Sequence, residues 1–171
     1  MFQTLLLLLV PALAFRLLGV LGVRRFASWR VSFAHGLAVM LVFTGSAHFL
    51  PDTVSAAPSH DDLTAMVPSY VPFPGFMVYL TGVLELLGAL GLVVHRTRAV
   101  AGIALAVLFV LMLPANIHAA LEDIPLNGEE PTPLWFRVPE QIVFIAVALW
   151  AAGVRVPASV SARRGVPARS R

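Results

Sequence analysis

Five runs of apolar residues, each close to the length that crosses a bilayer, constrain what this chain can fold into. A transmembrane helix needs roughly 20 predominantly apolar residues. The runs cover residues 2–23, 31–50, 73–94, 99–120 and 134–153. They leave no stretch that could bury a soluble core, and only 12% of the 171 residues are charged, against about 25% in soluble domains. We therefore predict one all-α integral-membrane domain over residues 1–153.

The charges of the connections predict the orientation of this domain. Arginines follow the first, third and fifth runs, whereas acidic residues occupy the alternate connections. By the positive-inside rule, the N-terminus lies outside and the C-terminus inside. Only an odd number of spans fits this pattern, so the first run is kept as a helix, although Ala12-Leu13-Ala14 resembles a signal-peptide cleavage site. Residues 154–171 are predicted to form an Arg-rich cytoplasmic tail without ordered structure. Its arginines have no interleaved aromatic residues, so we expect contact with lipid headgroups and no nucleic acid.

Two glutamates, Glu85 and Glu140, lie inside predicted spans. An ionisable side chain in hydrocarbon is expensive, so it normally faces the bundle interior and has a partner. Glu85 falls near the midplane, and Arg16 of the first span falls at a similar depth. One hypothesis is an Arg16–Glu85 ion pair. The alternative is a protonated Glu85 carboxyl hydrogen-bonded to a neighbouring helix, with Arg16 extending to the inner surface.

A second group of polar residues gathers near the outer ends of three spans. It comprises Thr44 and His48, then Asn116 and His118, then Arg137, Glu140 and Gln141. The last three recur at intervals of three and four residues, which brings them to one helix face and pairs Arg137 with Glu140. Asn116 and His118 point about 200° apart on an ideal helix, so we expect only one of them to face a site.

These polar residues suit a small amphipathic ligand. The candidate ligand-binding residues are His48, Glu85, Asn116, His118, Arg137 and Gln141. An apolar slot with a few convergent donors could hold the carbonyl oxygen of a quinone. Two histidines could instead bind haem, or a metal together with Glu140, but neither histidine belongs to a spaced ligand motif, so we expect neither cofactor. A further alternative is that these groups only hydrogen-bond the helices together. His35, His60 and His95 fall at boundaries or in a loop, and we assign them no site role.

Other sequence features narrow the chemistry and the outer connection. The chain has no cysteine, which excludes thiol–disulfide catalysis and iron–sulfur clusters. In the outer connection, Ser59 precedes Asp62 by three residues, a capping pattern that predicts a short helix ending before Pro68.

Each of the last four spans carries a distinctive segment: GSAHF at 45–49, YLTGVLELLG at 79–88, PANIH at 114–118 and RVPEQ at 137–141. Together, in this order, the four segments resemble the DoxX-like family of small bacterial membrane proteins. The resemblance implies a four-helix membrane bundle, here with an extra N-terminal transmembrane helix, in the bacterial inner membrane. The family's last motif has an apolar residue at the position of Glu140, which leaves His48, Glu85, Asn116, Arg137 and Gln141 as the matched polar set.

The resemblance also bears on function. Some members look like the membrane subunit of a thiosulfate:quinone oxidoreductase, and others accompany secreted redox enzymes or amine-dehydrogenase maturation. The implied function is a membrane protein that binds a quinone-like or amphipathic ligand, or a periplasmic or membrane redox partner, and is not an enzyme by itself. The alternatives are a non-catalytic scaffold and a small-solute transporter, although no inverted repeat is visible in the sequence.

Overall fold

The structure, a computed structural model, describes residues 2–54 and 57–154. Within these ranges it contains one short 3-10 turn, Arg24–Phe26, six α-helices and no strand. The helices are α1 (Gln3–Val20), α2 (Trp29–Ala47), α3 (His60–Ala65), α4 (Pro74–Val93), α5 (Arg98–Leu121) and α6 (Leu134–Ala152). All except α3 are long and apolar enough to cross a membrane, which confirms the predicted all-α fold with five spans. The predicted Arg-rich tail lies outside the described residues from position 155 onward.

Local sequence signals set the ends of these helices. Ser28 caps α2, because its hydroxyl oxygen accepts the backbone N–H of Val31 at 3.3 Å. Proline occupies the first position of α4, where its missing N–H costs nothing. Gly153 ends α6 with φ of 80°, a backbone conformation that glycine adopts without strain. The observed spans therefore agree with the apolar runs to within three residues at each end.

Four of the long helices close into a bundle, and the fifth packs on its outside. Helix α2 contacts α4 and α6, and α5 completes the ring between α4 and α6. Helix α1 packs against α2, as expected for an extra N-terminal span. Glycines allow these helices to approach closely: a Cβ on Gly36 would lie 2.7 Å from the Leu8 carbonyl oxygen, and one on Gly102 would lie 2.4 Å from that of Ala148.

The connections give the two ends of the bundle opposite character. We call the end that carries connections 21–28 and 94–97 the arginine end, and the end that carries 48–73 and 122–133 the acidic end. Helix α3 belongs to the acidic end and packs against α4. Ser59 and Asp62 form the predicted capping box at its start.

Candidate functional site

Glu85 lies at the interface between α2 and α4 and is 3% exposed. Thr44 on α2 donates its hydroxyl to Glu85 Oε2 at 2.6 Å. His48, one turn further along, places Nε2 at 3.7 Å from Glu85 Oε1, which is too long for a hydrogen bond. Gly45 makes the approach possible, because a Cβ there would lie 3.1 Å from the Glu85 Cβ. The carboxyl that the sequence singled out is thus held by a hydroxyl and faced by an imidazole.

The backbone of α4 fixes the orientation of the His48 ring. Nδ1 lies 2.7 Å from the Val78 carbonyl oxygen, so Nδ1 is the nitrogen that carries a proton and donates it there. The Thr81 hydroxyl oxygen lies 3.2 Å from the same nitrogen. Nε2 is consequently left to face Glu85. We call Thr44, His48, Thr81 and Glu85 the Glu85 cluster.

The structure does not form the Arg16–Glu85 pair. Arg16 lies on α1, which packs against α2 and not on the face of α4 that carries Glu85. Its guanidinium carbon is 5.3 Å from the centre of the Trp29 ring at the arginine end. The helix bearing Glu85 therefore takes its hydrogen-bond donor from α2. Arg16 instead extends toward the arginine end of the bundle.

Glu140 lies where α1, α5 and α6 meet and is 2% exposed. Its Oε2 accepts a hydrogen bond from Arg137 Nη1 at 2.9 Å, so the predicted pair within α6 is present. Its Oε1 accepts the hydroxyl of Thr4 on α1. Arg137 also donates from Nη2 to Asn116 Oδ1 on α5 at 2.7 Å. These residues link three helices through one carboxylate and one guanidinium.

Two further candidate ligand-binding residues, Gln141 and His118, contact backbone carbonyl oxygens of other segments. Gln141 is buried and donates from Nε2 to the Phe109 carbonyl oxygen on α5 at 2.8 Å. His118 points away from Asn116, as their spacing predicts, and its Nδ1 lies 3.1 Å from the Met66 carbonyl oxygen after α3. His118 thus ties α5 to the acidic-end connection. We call Thr4, Asn116, Arg137, Glu140 and Gln141 the Glu140 cluster.

The two clusters lie in the same half of the bundle. Arg137, near the start of α6, belongs to this half, and of the two buried carboxyls it hydrogen-bonds that of Glu140. Together the two clusters combine two buried acids with one guanidinium and one imidazole.

A cleft of about 290 Å³ opens at the acidic end beside the Glu85 cluster. Phe49, Asp52, Asp61 and Tyr79 contribute to its walls together with His60. The His60 ring stacks on Tyr79 with 3.9 Å between ring centres. Its Nδ1 lies 3.0 Å from the His48 carbonyl oxygen. His60 thus connects the wall of the cleft to the backbone of His48, the residue that faces Glu85.

Sequence reasoning missed several of these residues. Thr4 looks like an ordinary hydroxyl in an apolar run, and no spacing relates it to Glu140, 136 residues away. The sequence places His60 in a loop and predicts no role for it. It predicts His35 at a membrane boundary, whereas in the structure His35 is 5% exposed and packs against Phe15 and Phe26. In each case the partner comes from another segment, which a pattern within one helix cannot reveal.

The donor sets do not converge on a metal site. Among residues 2–54 and 57–154, no group of three or more His, Cys, Asp or Glu side chains could hold a metal ion. Both oxygens of Glu140 are bound by Arg137 and Thr4, and His48 belongs to the other cluster.

Comparison with protein families finds one match over most of this region. The family described as "Domain of unknown function (DUF8561)" matches residues 37–152, more than half of the chain, and the chain belongs to this family. The match includes both clusters except for Thr4. No curated protein and no solved structure matches the chain.

Proposed function

We propose that this member of the DUF8561 family is a multi-pass membrane protein that binds a quinone-like or other amphipathic ligand at the acidic end of the bundle. In this role it serves as the membrane subunit of a redox system and does not turn over a substrate alone. Kinship with the DoxX-like proteins, based on the four motifs, belongs to the same proposal.

The observation that carries the proposal is that Arg137 is held in place by two hydrogen bonds and yet stays partly exposed. Its guanidinium is fixed from two sides, by Glu140 at 2.9 Å and by Asn116 at 2.7 Å. Its side chain nevertheless stays 24% exposed, whereas that of Glu140 is 1% exposed. A guanidinium has five N–H donors, and these two contacts leave Nε–H and one hydrogen on each terminal nitrogen. Arg137 is therefore a positioned donor that can still take a carbonyl oxygen.

The residues around Arg137 suit the rest of such a ligand. Trp135, two positions earlier in α6, is 71% exposed, and its ring lies 5.9 Å from that of Phe136. Phe136 in turn meets Phe2 of α1 with 4.9 Å between ring centres. Aromatic faces bind flat rings by stacking, and the lipid-facing surface accommodates an apolar tail. A ring with carbonyl groups and an apolar tail matches both features.

The ligand and the partner would carry the electrons. With no cysteine in the sequence, the protein itself offers no thiol chemistry. The fixed donors then position the ligand, while oxidation or reduction requires a partner at the acidic end. This division supports a subunit role over a stand-alone enzyme.

The test is the quinone content of the purified protein. The full chain is extracted from bacterial membranes in mild detergent, and bound quinones are quantified by mass spectrometry per mole of protein. Arg137→Gln should lower this ratio at least about tenfold, because one charge-assisted hydrogen bond contributes roughly 1.5–3 kcal/mol. Arg30→Gln is the matched control, since Arg30 binds the opposite end of the same helix at the Ala151 carbonyl oxygen. Equal ratios in the wild type and Arg137→Gln, with both folded by circular dichroism, would refute the proposal.

A specific observation also favours a second function, that of a non-catalytic scaffold. Each residue of the two clusters has a partner within the chain, as interhelical hydrogen bonding alone would require. Under this alternative, His48→Ala, Glu85→Gln and Arg137→Gln lower thermal stability but change neither quinone content nor recovery of a partner protein. Measuring all three quantities on the same preparations separates the two functions.

The proposed location is the bacterial inner membrane with the arginine end in the cytoplasm. The support is the separation of charge between the ends, because arginine-rich connections stay on the cytoplasmic side. A reporter enzyme fused after Arg171 that is active only inside the cell would agree with this orientation. Activity only outside the cytoplasm would reverse it.

A further inference from the structure

A groove runs along the lipid-facing surface at the arginine end, between α4 and α5. It has a volume of about 460 Å³, and Leu87, Leu90 and Val100 form its apolar walls. These three side chains are 59%, 63% and 71% exposed. The floor is low because Gly91 meets Ala101, where a Cβ on the glycine would lie 2.6 Å from the alanine Cβ. The small side chains of Gly91 and Ala101 thus leave a groove on the surface where larger side chains would fill it.

One end of this groove carries an unused positive charge. Arg96 lines the groove and is exposed, and within the described ranges no hydrogen bond or ion pair engages it. Two neighbouring arginines are already hydrogen-bonded within the chain. Arg98 donates to the Leu92 carbonyl oxygen at 2.7 Å, and Arg25 donates to that of Val93 at 3.0 Å. Arg96 is the arginine of this connection whose charge is left for a ligand.

Nothing in the neighbouring sequence neutralises that charge. Residues 1–51 and 86–121, which supply every described element of the arginine end except the last turn of α6, contain no Asp or Glu. The N-terminus of α5 begins at Arg98 beside the groove and adds the positive end of a helix dipole. The site therefore combines an apolar groove with a positive charge that no acidic residue of the neighbouring sequence neutralises.

We propose that this groove binds an anionic phospholipid, with an acyl chain along α4 and α5 and the phosphate at Arg96. Basic pockets between helices at the cytoplasmic surface recognise lipid headgroups by this combination of charge and apolar contact. The site lies at the opposite end from Arg137, so it does not depend on the proposed quinone site.

Native mass spectrometry of the full chain in mild detergent tests the proposal. Phosphatidylglycerol and phosphatidylcholine with the same acyl chains are titrated separately, so that only the headgroup charge differs. We expect phosphatidylglycerol to bind about fivefold more tightly, the effect of one arginine at a membrane surface. Arg96→Gln should abolish this preference and Arg96→Lys should keep it. Equal affinity of the wild type for both lipids would overturn the proposal.

Two matched controls separate a site from general attraction. Arg24→Gln removes an exposed arginine of the same end that does not line the groove, and it should leave the preference unchanged. Val100→Trp fills the groove and should weaken both lipids, whereas Val110→Trp, at another lipid-facing position of α5, should weaken neither. If Arg24→Gln and Arg96→Gln reduce the preference for phosphatidylglycerol equally, the attraction is a diffuse effect of charge and the groove is not a site. Competition by glycerophosphoglycerol, which lacks acyl chains, at the concentration of the lipid would overturn the role of the groove.

Discussion

At the acidic end, buried carboxyls accept hydrogen bonds from side chains, whereas at the arginine end guanidinium groups bind backbone carbonyls. Glu140 accepts from Arg137 and Thr4, and Glu85 accepts from Thr44. At the other end, Arg30 donates twice to the Ala151 carbonyl oxygen, at 3.1 Å from each of two nitrogens.

The difference shows that the acidic end depends on particular partner side chains, whereas the arginine end does not. The last carbonyls of a helix carry partial negative charge, so any cation near them is favoured and no acid is needed. A buried carboxylate instead requires particular donors at particular positions, because an uncompensated charge in the interior is costly. Substitutions at the acidic end should therefore cost more, and they should be rescued only by changing both partners.

The largest expected effect is that of Arg137→Leu. This change leaves Glu140, which is 2% exposed, with only the Thr4 hydroxyl. Breaking a buried pair costs about 3 kcal/mol of unfolding free energy, measurable by denaturant titration in detergent. The double variant Arg137→Leu/Glu140→Leu should recover most of that loss, because no charge is stranded. A double variant less stable than Arg137→Leu would contradict the pairing.

Gly102→Ala tests the opposite half of the bundle, which depends on backbone proximity. The added Cβ would lie 2.4 Å from the Ala148 carbonyl oxygen, so α5 and α6 must separate. Such overpacking should cost about 2 kcal/mol in the same titration. Gly75→Ala is the control, because its nearest neighbour would be 3.4 Å away at the end of the His60 side chain. Similar stability of both variants would argue against close contact of α5 with α6.

Thr44→Val sharpens the account of Glu85 by removing its donor while keeping the shape of the side chain. We expect a loss of about 1 kcal/mol, the net contribution of one hydrogen bond. Thr44→Ser keeps the hydroxyl and should lose less. In a double-mutant cycle with Glu85→Leu, the effect of Thr44→Val should nearly vanish. Full additivity of the two changes would mean that the two residues do not interact.

The smallest expected effect is that of Arg30→Lys. A lysine ammonium still supplies positive charge near the last carbonyls of α6, so the cost should stay within about 0.5 kcal/mol. The same conservative change at Arg137 should cost more, because a lysine cannot serve Glu140 and Asn116 with one planar fork. Equal costs at both positions would remove the contrast between the two ends.

The helices could be predicted because their signals are local. Hydropathy located the spans, and the Ser59–Asp62 cap located α3. The Arg137–Glu140 pair was also predictable, since both residues lie on one helix and a spacing of three brings them together.

The partners between helices could not be predicted in the same way. Whether Glu85 meets Arg16 or Thr44 depends on which helix packs beside α4 and on its rotation. Depth along the membrane suggested Arg16, but the ring order places α2 against Glu85. A threonine within an apolar run cannot be recognised from the sequence as the donor to a carboxyl on another helix, because one hydroxyl changes the hydropathy little. Thr4 and Thr44 therefore emerged only from the structure.

Photolabelling with a quinone that carries a light-activated group tests the proposed binding at Arg137 most directly. The probe is added to the full chain in membranes, and labelled peptides are mapped by mass spectrometry. The account predicts labels at the acidic end of α5 and the first turn of α6, within residues 116–137, and their loss in Arg137→Gln but not in Arg30→Gln. Labels spread over the lipid-facing helices and unchanged by Arg137→Gln would contradict it.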